Sequence, residues 1–269
     1  MTGWKLWVAA AACVWTVGCG ASDDGASTPS AVPSAEAAPV VARYVAGVRG
    51  SYEQTAQAAT AMQTAVGAFL DAPSEQTLTA ARQAWIAARE PYGQTEAFRF
   101  YGGPIDDEAA GNLEGRINAW PMDENFVDYV MGMPGSGIIN DLAGTPTITR
   151  DALVMANERG GEENIATGWH AIEFLLWGQD MNANGPGARP YTDYLTSGGT
   201  AANQERRREY LRLVTAQLVD DLTTVRDAWA PGSTTNYAAG FGTDTTVALR
   251  RMLTGMGSLS GAELAGERS

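Results

Sequence analysis

Between Asn203 and Trp229 the chain carries Leu211, Val214, Leu218, Leu222, Val225 and Trp229, in steps of three and four. That spacing marks one face of an α-helix, and Pro231-Gly232 stop it. A helix of this kind needs its apolar stripe covered, so the chain must supply partner helices. Val40 to Leu70 is Ala-rich with few breakers, and Ser74 reads as the N-cap of a further helix. This second helix opens with Thr77 and Leu78 and runs through Trp85 to about Phe100, with a kink expected at Pro91. Sustained period-two alternation is not found, so strands are not expected. The predicted fold class is all-α, built as helical bundles. Hydrophobic residues make up 45% of 269, enough for a packed core. Two Gly/Pro/Asn-rich segments, Tyr101 to Thr149 and Gln179 to Gly199, read as loops long enough to carry function.

Charge narrows the partners. Eighteen basic against 31 acidic residues give −13, which argues against nucleic acid, whose phosphates demand a basic surface. The balance suits cations or a cationic substrate. The single lysine, Lys5, leaves nothing for a P-loop phosphate or a Schiff base, and the single histidine, His170, excludes HExxH zinc sites.

The N-terminus has the form of an export signal. One positive charge in Met1–Lys5 precedes an apolar run from Leu6 to Val17, too short for a membrane-spanning helix of roughly 20 residues. The ending Thr16-Val17-Gly18-Cys19 resembles a bacterial lipobox. A signal peptide over 1–18 and lipidation of Cys19 are expected, with an ordinary cleaved signal as the competing reading. Cys13 and Cys19 are the only cysteines, so the mature chain would hold one acylated sulfur and no internal disulfide. Residues 19–39, rich in Ala, Ser, Pro, Asp and Gly, read as a flexible tether. Gly20 and Ala21, in place of an aspartate, favour outer-membrane sorting. The expectation is a periplasm-facing globular body over 40–269, anchored to the membrane by its lipid.

Chemistry concentrates in Glu162–Asp180, EENIATGWHAIEFLLWGQD. Helical spacing puts Ile165, Trp169, Ile172 and Leu176 on one stripe and Glu163, Thr167 and His170 on another. Glu173 follows His170 by three residues, one turn on. Phe174, Leu175 and Trp177 make this helix apolar nearly all round, hence buried. A buried carboxylate needs a hydrogen bond, a counter-charge or a metal. Either His170 and Glu173 satisfy one another or a nearby arginine, or they are ligands.

Gly168-x-His170-x-x-Glu173 is a GxHxxE signature, and GWHAIEFLLWGQD resembles the imelysin-like family, which includes insulin-cleaving membrane proteases and iron-regulated protein A. FRFYGGPID (98–106), INAWPMDENFVDYV (117–130), GPGARPYTDY (185–194) and GSLSGAELAGERS (257–269) resemble its other landmark segments. The resemblance covers roughly Val40 to the end. It implies two packed helical bundles, here about 40–200 and 203–269, and further helices beyond the last landmark. The second bundle is therefore expected to be incomplete at Ser269.

In helix bundles, His and Glu three apart recur as metal ligands joined by carboxylates from facing helices. The expected metal ligands are His170 and Glu173, for a divalent or ferric ion such as iron or zinc, copper and manganese also suiting the donor set. Asp106, Glu114, Asp123, Glu124 and Asp180 are candidate further ligands or supports, although Asp123 reads by default as a helix cap and Asp106 equally as a turn acid. Arg99 and Arg189 are the expected buried counter-charges. Trp120, Trp169 and Trp177 are expected in the core, and Arg206–Arg208 on a solvated face. The resemblance implies a metal (iron) binding or uptake protein of the envelope, working with other uptake proteins. A metal-dependent peptidase and a metal-free structural lipoprotein are the alternatives. A hydrolytic site needs about three protein ligands and an open position, and Phe174 stands where inverted zinc peptidases carry a second histidine.

Overall fold

The computed structural model describes residues 32–267. The expected leader over 1–18, Cys19 and the tether as far as residue 31 lie outside the described residues. The remainder is helical, with no strand among the described residues beyond an isolated bridge between Val130 and Met133. No described helix is long and apolar enough to cross a membrane.

Four helices frame the core. Helix α1 (Ser34–Asp71) and α2 (Glu75–Gly93) form a hairpin. The turn is fixed by a capping box in which Ser74 Oγ accepts from Thr77 N (3.2 Å) and Thr77 Oγ1 accepts from Ser74 N (3.0 Å). Short α3 (Leu113–Ile117), α4 (Glu124–Val127) and α5 (Arg150–Ala156) precede α6 (Gly168–Trp177) and the long α7 (Gln204–Ala228). Short α8 (Tyr237–Phe241), α9 (Thr245–Ser258) and a π-type turn over Leu259–Glu267 complete the described chain. Helix α7 packs along α1, and α6 packs against both α7 and α2. The predicted stripe is the buried one: Leu211, Val214, Leu218, Leu222 and Val225 are sealed, with Trp229 at the C-cap.

Several boundaries differ from expectation. Helix α1 starts at Ser34, inside the expected tether, because Ala37 and Val41 are buried and Pro39, near the start, removes only one backbone bond. Helix α2 runs through Pro91 and gives way to a 3₁₀ turn over Gln94–Phe98. The loop expected over Tyr101–Thr149 folds into short helices capped by Asn112, Asp123 and Thr149, held down by Ile105, Leu113, Ile117, Val127 and Ile139 in the core. Helix α7, expected to open a second bundle, shares the core of α1 and α6.

The expectation for Arg206–Arg208 is overturned. Arg207 is fully buried and grips Asp128, while Arg206 donates to the carbonyls of Ile138, Ile139, Thr145 and Pro146. Arg208 donates to the Tyr194 carbonyl. The arginines fix the irregular segments to α7 because those segments carry backbone carbonyls with no ladder to satisfy them.

Candidate functional site

Helix α6 starts at Gly168, later than the helical stripes placed on Glu163 and Ile165 imply, and side-chain bonds to the chain ahead of it are the cause. Asn157 Oδ1 accepts from Ala166 N (2.9 Å) and Thr167 N (3.1 Å), and Asn157 Nδ2 donates to the Gly115 carbonyl (2.8 Å). These bonds divert the chain ahead of the helix, so Glu163 and Ile165 lie outside it. Gly168 then takes φ +81°, and a Cβ there would stand 2.4 Å from the Ile117 carbonyl oxygen. The glycine of GxHxxE is a packing requirement against the end of α3. At the other end, Arg82 donates to the Leu176 carbonyl through Nε (3.1 Å) and Nη2 (2.9 Å), neutralising the helix C-terminus.

Within α6 every residue is buried except His170, Glu173 and Trp177. Their spacing of three and four makes one stripe, the helix's only opening. His170 Nδ1 lies 3.1 Å from Glu173 Oε2, and the side chains are 16% and 42% exposed. Nε2 has no protein partner among the described residues. Two cavities meet at His170. One, about 410 Å³, has walls of Trp85, Trp120, Phe174 and Trp177 and carries Glu124, Glu173 and Asp180. The other, about 780 Å³, is polar and carries Arg99, Glu114, Glu158 and Glu162.

The candidate acids therefore separate. Glu124 and Asp180 share the first cavity with His170 and Glu173. Burial pushes the Glu124 carboxyl up; Arg189 pulls it back, and the charges of Asp180, Asp123 and Glu173 add to the rise. Asp180 also accepts from Asn182 N (2.9 Å) in a turn. Asp123 caps α4, accepting from Asn125 N at 3.1 Å. Asp106 and Glu114 are paired to Arg99, at 3.1 and 2.8 Å, as the counter-charge expectation required. Glu114 faces the second cavity, and its carboxyl is raised by burial despite Arg99.

Arg189 serves other acids than those expected. Its Nη1 lies 2.6 Å from Asp128 Oδ2 and 3.4 Å from Asp193 Oδ2, all three groups buried. Neither aspartate was a candidate; Arg207 offered the signal, since it precedes Leu211 by four residues on the buried stripe. Trp169 is buried as expected and Trp177 lies at the core's edge, but Trp120 is 69% exposed. The Trp120 ring stands 4.7 Å from His170 and lines both cavities.

Among the described residues no group of three or more His, Cys, Asp or Glu side chains is gathered closely enough to hold a metal ion. The stripe of α6 provides two donors. An ion held by this pair alone would need water or a chelator in its other positions.

The model of the imelysin family, Peptidase_M75, matches residues 48–269. Over 84 residues the chain is 37% identical to iron-regulated protein A of Synechococcus elongatus, a stretch covering 31% of this chain and 22% of that protein. Among solved structures it is similar to an iron-regulated protein A precursor from Parabacteroides distasonis, with a TM-score of 0.60 and 20% identity, over 89% of this chain and 63% of that one. An imelysin-like protein from Psychrobacter arcticus gives a TM-score of 0.57 at 15% identity, over 85% and 60%. The chain thus spans under two thirds of the length of each, and the two structural likenesses concern the fold.

Proposed function

The chain belongs to the imelysin family, and on that premise we propose that it is a cell-envelope lipoprotein that binds a metal ion, iron foremost, as cargo for uptake. The observation that carries this reading is the donor pair on the one open stripe of α6, His170 Nδ1 and Glu173 Oε2 at 3.1 Å. An imidazole nitrogen and a carboxylate at the junction of two cavities suit a borderline cation. Glu124 and Asp180 add negative charge to the lining of the first cavity, and Arg99 stays engaged with Asp106 and Glu114. The relative named iron-regulated protein A supports iron as the first metal to try. Cys19 would carry the lipid, with the body facing the periplasm from the outer membrane.

One observation favours a metal-free reading: the 3.1 Å contact is itself a hydrogen bond that gives each side chain a partner. Calorimetric titration of metal-stripped protein with Fe(II) and with Zn(II) separates the two. The cargo reading expects one saturable site, weakened at least about tenfold by His170→Ala and by Glu173→Gln. It also expects binding to fall on acidification, because a protonated imidazole does not ligate. Equal binding by all three proteins would make the pair a packing element. Cleavage of a fluorogenic peptide pool by the zinc-loaded protein would favour the peptidase reading.

A further inference from the structure

The smaller cavity beside His170 has a composition that the metal pair does not use. Trp85 and Trp177 meet edge to face with centroids 5.4 Å apart, at 70°, and form a corner. Trp120 closes the side toward His170 with most of its ring in solvent. Glu124, Glu173 and Asp180 stand on this aromatic lining, and the lining includes no lysine or arginine. The nearby cations lie outside the lining: Arg189 is paired with Asp128 and Asp193, and Arg82 donates to the carbonyls of Leu176 and Arg189. Arg82 also stands 5.7 Å from the Trp177 ring centroid and Arg89 stands 5.7 Å from that of Trp85, which leaves Trp120 as the indole of the lining without an arginine over it among the described residues. The result is an apolar cleft whose lining carries three carboxylates, of which Glu173 meets His170, and no arginine or lysine.

From this complementarity we infer that the cleft is a binding site for a small organic cation with an apolar, aromatic body. Indole faces attract ammonium and guanidinium groups, an attraction that strengthens when the cation leaves water. Carboxylates at the same wall supply charge-assisted hydrogen bonds to the cationic head. The volume of about 410 Å³ matches a small-molecule site. A bare metal ion would leave the aromatic walls without a partner. An anionic ligand would meet three carboxylates. Burial, with the charges of Asp180, Asp123 and Glu173 adding to it, holds the Glu124 carboxyl above its ordinary range although Arg189 pulls it down, and an entering cation would relieve it. The inference goes beyond the metal reading and does not depend on it, since His170 need not hold an ion for the cleft to fill.

The test uses the full chain in excess EDTA, so that metal binding plays no part. 2-Phenylethylamine, cationic at neutral pH, is titrated by calorimetry and by tryptophan fluorescence beside two isosteres, uncharged 2-phenylethanol and anionic phenylacetate. The expected result is saturable binding of the amine, at least about tenfold weaker binding of the alcohol and none of the acid. Trp120→Ala, at an exposed position, and Glu124→Gln should each weaken the amine several-fold with the melting temperature unchanged. Asp180→Asn, in an exposed turn, is a second charge variant should Glu124→Gln lower that temperature. Equal binding of amine and alcohol would overturn the charge argument. Failure of the amine to bind at millimolar concentration would overturn the site. Binding of a lysine-containing tetrapeptide but not of the free amine would reassign the cleft to polypeptide side chains and overturn the small-molecule assignment.

Discussion

Arg207 holds Asp128 in a two-pronged grip, Nε to Oδ2 at 2.7 Å and Nη2 to Oδ1 at 2.9 Å, with both side chains sealed from solvent. The same carboxylate receives Arg189 at 2.6 Å, so one buried acid ties α7 to the end of α4 and to the segment following α6. Removing one member leaves an uncompensated buried charge, which costs about 3–5 kcal/mol. Asp128→Ala and Arg207→Ala should each lower the stability read from urea unfolding by that order. The double variant should lose less than the sum of the two. Additive losses would show that the grip is not a coupled unit.

Acid should loosen the same knot. Burial raises the Asp128 carboxyl, but the Arg207 hydrogen bonds and the charges of Arg189 and Arg207 outweigh it and hold the group below its ordinary range. A depressed folded-state value contributes stability that is present above the unfolded value, about 3.9, and is lost as pH falls through the folded one. Glu114, raised by burial, works in the opposite sense: its contribution is present in acid and lost as pH rises through its folded value. Melting temperature followed from pH 6 downward should therefore fall in the wild type, and more shallowly in Asp128→Asn. Parallel curves would remove Asp128 from the explanation.

Gly168→Ala tests whether the first residue of the GxHxxE signature is there for space. The left-handed backbone and the Ile117 carbonyl 2.4 Å from the added carbon leave no room for the methyl. Strain of about 1–3 kcal/mol is expected, along with a displaced start of α6. Unchanged unfolding would show that the end of α3 yields freely.

Cys19→Ala should release the protein from membranes in a host of its own kind, while the wild type stays in the membrane fraction. The motive is the apolar run ending in Val17-Gly18-Cys19. A wholly soluble wild type would count against lipidation, and fractionation followed by immunoblotting reads the outcome.

Much of the frame was legible because apolar spacing is a local property. The α7 stripe and the Ser74 cap follow from residues a few positions apart, and so does the His170–Glu173 pair. Arg207 lay on that same stripe, but its charge was weighed and its position was not. Glu163 and Ile165 were placed on helical stripes because Glu162–Thr167 is compatible with a helix, and contacts from distant residues, Asn157 among them, divert it. Trp120 was assigned to the core on residue type. Its place over His170 depends on where the segment after α3 runs, and no local spacing encodes that.

The single open stripe of α6 also bears on how such a protein can change. Seven of the ten positions in that helix are closed by packing, and replacing one such as Ile172 with alanine costs about 2–5 kcal/mol. Substitutions at His170, Glu173 and Trp177 carry the least packing cost in this helix. A saturation library at those three positions would sample nearly all the chemistry this helix can present without unfolding the protein. From this helix, new specificities would have to be written in that three-letter alphabet, with Trp120, exposed and beside His170, as a fourth letter from outside it.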